Sequence, residues 1–172
     1  MATGQLCSNV GAYDNAAEFS AEIPTYAHYL RVAGYQTALS GKMHFIGPDQ
    51  FHGFEKRLTA DLYPGDFAWV PNWENEGKRD TNDPRAVRVA GICERSVQID
   101  YDEEVTCKAV QHIYDMARSD DKRPFFLQVS YTHPHEPYLC RKEFWDLYEG
   151  KDIPMPRVGA MNENEHDPHS AR

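Results

Sequence analysis

The sequence predicts an α/β fold, with a mainly parallel sheet flanked by helices. Three observations predict it. A helix-period run followed by a short apolar strand occurs twice. Each strand gives way to a loop rich in Lys or His, without a hairpin turn. The chain has 172 residues with 41% hydrophobic and 12% aromatic composition, enough for one domain, or one large piece of a domain, with a packed core.

The first helix is expected from Pro24, a residue preorganised for a first helical position. Tyr26, Tyr29, Leu30 and Ala33 then fall on one helical face, and Gly34 is a candidate left-handed cap. Tyr35 to Ser40 follow as a strand. Gly41-Lys42-Met43-His44 reads as the loop at its carboxyl end. The second helix is expected to open at Asp102-Glu103-Glu104, where negative charge suits a helix N-terminus. Val105, Ala109, Ile113 and Met116 continue it towards Arg118. Phe125 to Tyr131, introduced by Pro124, is strand-like. The prolines at 134 and 137 keep Thr132 to Tyr138 from continuing as helix or central strand. A short helix over Lys142 to Tyr148 follows. Residues 59–92 are irregular and too polar for core, and 153–172 show no periodicity.

Ligands in parallel sheets gather outside the carboxyl ends of strands. If the two strands are neighbours, Lys42, His44, His133 and His135 converge there. Lys is a point cation for an anion, and His can hold or relay a proton near neutrality. A zinc site at His133 and His135 would need further ligands, and none stands at a recognisable spacing. One His acting as a general acid or anion ligand needs less. Trp69 and Trp73 lie in the irregular segment, where they could line a pocket or form a small satellite core.

Composition excludes other classes. The balance of 18 basic and 27 acidic residues, a formal charge of −9, argues against nucleic acid and against a polybasic membrane surface. No apolar stretch approaches the ~20 residues of a membrane span. The N-terminus has neither the basic start nor the apolar core of a secretory signal. The four dispersed cysteines (Cys7, Cys93, Cys107, Cys140) read as reduced thiols, so a cytoplasmic protein is expected.

The run Gly34 to His44, GYQTALSGKMH, resembles the second sulfatase signature: Gly-Tyr-x-Thr, three residues, then Gly-Lys-x-His. Gly11 to Phe19, His44 to Asp61 and Thr132 to Tyr138 resemble the choline-sulfatase branch in particular. The resemblance covers about residues 1–150. It implies an alkaline-phosphatase-like α/β fold and hydrolysis of sulfate esters. It also implies a formylglycine nucleophile made from the Cys (or Ser) of a Cys-x-Pro-x-Arg motif, and one divalent cation, usually calcium. By this resemblance Lys42 contacts the sulfate oxygens, His44 supports the formylglycine hydrate, and His133 binds sulfate and assists the leaving oxygen. Asn15 and Trp69 match positions lining the pocket for a trimethylammonium group, with His135 counted among the substrate-binding residues.

The chain departs from the family pattern in two places. Cys7 is followed by Ser8-Asn9-Val10-Gly11, so no cysteine lies in Cys-x-Pro-x-Arg. Residues 74–92 lack the aromatic and His residues that close the ammonium pocket in choline sulfatases. The expectation is an internal part of a sulfatase catalytic domain over 1–172, truncated at both ends. Within it, 59–92 is a substrate-pocket insertion and 153–172 leads onward. The nucleophile is expected upstream of Met1, no metal ligands are recognisable within the chain, and the chain alone is expected to be inactive. At full length a homo-oligomer acting on choline sulfate or a similar small sulfate ester is expected. The alternatives are a phosphoester or phosphonate hydrolase of the same superfamily and a non-catalytic, anion-binding remnant.

Overall fold

The structure is a computed structural model that describes residues 1–62, 70, 73–75, 85–159 and 161–166. Helix α1 spans Tyr26–Val32 and leads into strand β1, Gln36–Gly41. Short strand β2 (Lys56–Arg57), helix α2 (Arg85–Arg88) and short strand β3 (Gly91–Ile92) follow. The long helix α3 covers Val97–Arg118 and feeds strand β4, Phe125–Ser130. Strand β5 (Leu139–Cys140) and helix α4 (Lys142–Trp145) complete the order.

The expected parallel sheet is present, in the order β2-β1-β4. Strands β1 and β4 run parallel from Gln36 opposite Phe125 to Gly41 opposite Ser130. All of β1 beyond Gln36 is buried, as a strand covered on both faces must be. On one face Leu39 packs with Ala27, Phe45 and Phe54, and Phe126 and Tyr26 border this core. On the other, the Ser40 hydroxyl donates to the Val105 carbonyl of α3 at 2.9 Å. The helices therefore lie on opposite sides of β1, because successive strand residues face opposite ways.

The expected starts and inner faces of α1 and α3 are corrected. Pro24 does not begin α1: Thr25 caps it, its hydroxyl accepting from Ala27 N–H, and the His28 ring accepts in return from the Thr25 N–H. Tyr29 and Ala33 face outward, while Ala27 is fully buried. Helix α3 begins at Val97, capped by the Ser96 hydroxyl, so Asp102 lies in its second turn and not at its N-terminus. Its buried line runs Ile99, Tyr101, Val105, Ala109 and His112, and leaves Ile113 exposed. A period of 3.6 drifts off a strict four-residue step, which is why His112 replaces Ile113 on the inner face.

The start of the irregular segment is also corrected, since Thr59 and the Asp61 side chain are interior. Thr59 is buried and its hydroxyl accepts from the Gly41 N–H at 2.7 Å. Tyr101 donates its hydroxyl to the Ala60 carbonyl at 2.6 Å. Trp69 and most of the irregular segment lie outside the described residues.

Candidate active site

Gly41 ends β1 with φ 113°, and a Cβ there would sit 1.8 Å from the Ser130 carbonyl oxygen. Only glycine fits so close a strand approach at this backbone angle. The Lys42 N–H then donates to that same carbonyl at 2.9 Å. The loops after β1 and β4 therefore leave the sheet side by side, as the sequence argument required.

Lys42 is half-buried, and its ammonium makes no hydrogen bond or ion pair among the described residues. Met43 and His44 are fixed by Asp61. One oxygen of this carboxylate accepts from the His44 N–H at 2.8 Å and the Met43 N–H at 3.3 Å. The same oxygen lies 3.1 Å from the Arg57 guanidinium, and the two side chains are 2% and 7% exposed. His44 adopts φ 57°, a region uncommon for residues other than glycine. The Asp61 hydrogen bonds offset that cost. The His44 Nε2–H donates to the Asn15 carbonyl at 2.7 Å, so the N-terminal loop is brought against this histidine.

The neighbouring residues of that loop form an aromatic corner. The Trp73 indole N–H donates to Asp14 at 2.6 Å, and its ring meets Tyr13 edge-on with centroids 6.1 Å apart. This indole donor holds the Asp14 carboxyl below its ordinary range. Trp73 is 58% exposed, so it is available as a face and does not form a satellite core.

With one residue between them, His133 and His135 would point to opposite sides of an extended loop; the loop is instead a succession of turns. Asp102 holds it: one carboxylate oxygen accepts from the Thr132 N–H and hydroxyl, the other from the His133 N–H and ring Nδ1. His133 Nε2 faces the Leu139 carbonyl at 3.1 Å. Both ring nitrogens thus face acceptors, and only the imidazolium donates from both. His135 is exposed and turned to Glu136, 2.9 Å from its carboxylate.

Of the sequence-derived residues, then, Lys42, His44 and His133 stand on adjoining loops, and Asn15 joins His44 through its backbone. His135 faces its neighbour Glu136, and Trp69 is outside the described residues. The sequence reading missed Asp61 and the role of Asp102. A carboxylate among the buried residues of α3 was the available signal for the second.

Removing Asp61 leaves Arg57 buried without its anion and frees two loop N–H groups. Breaking one side of a buried pair costs about 3–5 kcal/mol. Thermal melts of Asp61→Ala should show a loss of that order, with Glu55→Ala, at a more exposed pair, changing stability far less.

The described residues do not fit a metal centre. No group of three or more His, Cys, Asp or Glu among them could hold a metal ion. The two carboxylates beside the loops, Asp61 and Asp102, are spent on N–H and O–H donors and on Arg57. No helix among the described residues is long and apolar enough to cross a membrane.

Comparison with known proteins agrees with this geometry. The sulfatase family model matches residues 1–158. The chain is 53% identical to a choline-sulfatase of Rhizobium meliloti over 98% of its length, covering 34% of that protein. It is 30% identical to the mouse iduronate 2-sulfatase over 81% of its length, covering 26% of it. A protein solved in complex with its substrate D-glucosamine-2-N,6-O-disulfate shares the fold, with TM-score 0.52 and 22% identity over 90% of this chain and 28% of that one. The chain spans about a quarter to a third of the length of these relatives. With that match running through both loops and the parallel strands beneath them, the chain belongs to the sulfatase family.

Proposed function

We propose that the chain carries the sulfate-binding half of a sulfuric ester hydrolase acting on choline sulfate or a similarly small sulfate ester. The observation that carries this reading is the half-buried ammonium of Lys42 at the end of β1, which makes no hydrogen bond or ion pair among the described residues, beside a loop that presents His133. A half-buried cation in that position suits a bound anion. Lys42 neutralises the sulfate oxygens, where fixed charge lowers the barrier most. His133, whose Nδ1–H donates to Asp102, offers an Nε2 proton to the departing oxygen, in place of the Leu139 carbonyl. His44 is oriented by Asn15 and Asp61 to support the nucleophile side.

At the alcohol end, a quaternary ammonium cannot donate a hydrogen bond, so an aromatic face suits it. Trp69 and Asn15 are the proposed lining, with His135 at the rim. Trp73, held beside Asn15 by Asp14, supports that placement. The reading includes a catalytic domain in which 59–92 is the pocket insertion and 153–172 leads onward. It includes a formylglycine nucleophile and one divalent cation, calcium, although the described residues fit no metal and no step is derived through either group. It also includes a cytoplasmic homo-oligomer.

The test is a substrate panel on a full-length chimera, in which this chain replaces the matching third of the Rhizobium meliloti choline-sulfatase. Release of sulfate from choline sulfate, with a higher kcat/KM than for the corresponding phosphate ester, is expected. A preference for the phosphate ester would favour a phosphoester hydrolase, and equal turnover of bulky aryl and choline sulfates would remove the small-ester reading.

A further inference from the structure

We infer that Asp102 is a positioning residue for His133, setting which ring nitrogen faces the substrate and fixing the loop that carries it. The inference rests on the sulfatase reading for its catalytic consequence. Its structural basis is independent of that reading. Asp102 is 31 residues from His133 in the chain, yet its carboxylate takes four donors from Thr132 and His133: two N–H groups, one hydroxyl and one ring nitrogen. The ring contact is the shortest, 2.6 Å, and the two side chains are 15% and 30% exposed. A carboxylate can only accept, so Nδ1 must carry a proton. That leaves Nε2 as the nitrogen aimed away from α3.

Other bonds show that α3 acts as the platform for this loop. Gln98 donates to the Glu136 carbonyl at 2.6 Å, and Thr106 bonds the Tyr131 hydroxyl at 3.1 Å. Glu103 pairs with Arg141 beyond the loop. Asp102 alone among these reaches a histidine ring. Partial burial would raise its carboxyl, but the Thr132 and His133 donors outweigh that and hold it below its ordinary value of 3.8. It is therefore the anion at neutral pH that the geometry needs.

A side chain that merely ties down a loop would predict a loss of stability and nothing specific to the reaction. Orientation predicts more. Asp102→Asn is nearly isosteric, but it lacks the charge that supports an imidazolium, and its amide can present an N–H to Nδ1, leaving a neutral ring whose Nε2–H is a far weaker acid. The two roles separate in the full-length chimera. Three readouts are expected. Asp102→Asn should lose about 10²-fold in kcat with KM little changed, the cost of a misplaced catalytic group. The loss should be larger for poor leaving groups than for good ones. The double variant Asp102→Asn/His133→Ala should be no slower than His133→Ala alone, because two residues acting as one unit are not additive. Thr132→Val, which removes one donor to Asp102 and leaves the ring contact, should change kcat much less.

A direct readout needs no turnover. The proton between His133 Nδ1 and Asp102 should give a far-downfield proton resonance, lost in Asp102→Asn and in His133→Ala and kept in His135→Ala. Survival of that resonance in Asp102→Asn, or additive losses in the double variant, would overturn the inference. A chimera that hydrolyses no sulfate ester would overturn the sulfatase reading, while the resonance would still decide whether Asp102 orients His133.

Discussion

In the full-length chimera, His133→Ala should lower kcat by about 10²–10⁴-fold, and His135→Ala by far less. His133 follows β4 within three residues, on the loop whose partner loop begins with Lys42. Its ring is part-buried and gripped through Nδ1 by Asp102. His135 is exposed and turned to Glu136, with its Nδ1 2.9 Å from that carboxylate. A general acid matters most when the departing oxygen is a poor leaving group. The His133→Ala deficit should therefore shrink for aryl sulfates with acidic phenols and be greatest for an alkyl ester such as choline sulfate. Steady-state kinetics across a leaving-group series reads both effects. Equal losses from the two variants, or a larger one from His135→Ala, would place the acid on the wrong side of the turn.

Lys42→Ala should be comparably damaging, about 10²–10³-fold in kcat, the usual cost of removing one fixed donor at developing charge. Arg at this position is not a safe replacement, because its planar fork differs from the compact ammonium in the half-buried space beside Ser130. Lys42→Arg should therefore recover only part of the loss. Since Lys42 makes no ion pair among the described residues, its removal should leave the melting temperature nearly unchanged. The contrast with Asp61→Ala separates the loop's own lysine from the carboxylate that fixes the loop from across the fold. Asp61 acts on stability through Arg57 and the backbone, and Lys42 acts on the anion. A large fall in stability for Lys42→Ala would show that the lysine has a structural partner after all.

The parallel course of β1 and β4 was legible in the sequence because each strand is preceded by a helix, although their adjacency entered only as a condition. The approach of Gly41 to the Ser130 carbonyl crosses the fold, while its place at the head of the Lys-x-His loop was legible. The start of α3 was not. Ser96 is the cap, but it sits in the polar run Glu94-Arg95-Ser96, and the acidic triplet that begins at Asp102 gave a stronger, local signal. The roles of Asp61 and Asp102 were hidden for a different reason. Each carboxylate meets its loop across the fold, 17 or 31 residues away, and no periodicity encodes such a distance. Burial of Thr59 and of the Asp61 side chain was masked by the charged stretch that follows them. The turn at Thr132 to Tyr138 was recognised as irregular, but its shape depends on Asp102 gathering both N–H groups, so an extended loop was the natural and mistaken assumption.

The central claim is that Lys42 and His133 face a single sulfate. A crystal structure of the chimera soaked with inorganic sulfate tests it. The prediction is one sulfate at the carboxyl ends of β1 and β4, with an oxygen within hydrogen-bond distance of the Lys42 ammonium and another of His133 Nε2, and with that site empty in Lys42→Ala crystals grown in parallel. Sulfate bound elsewhere, or Lys42 paired to a protein carboxylate while it and His133 point apart, would contradict it.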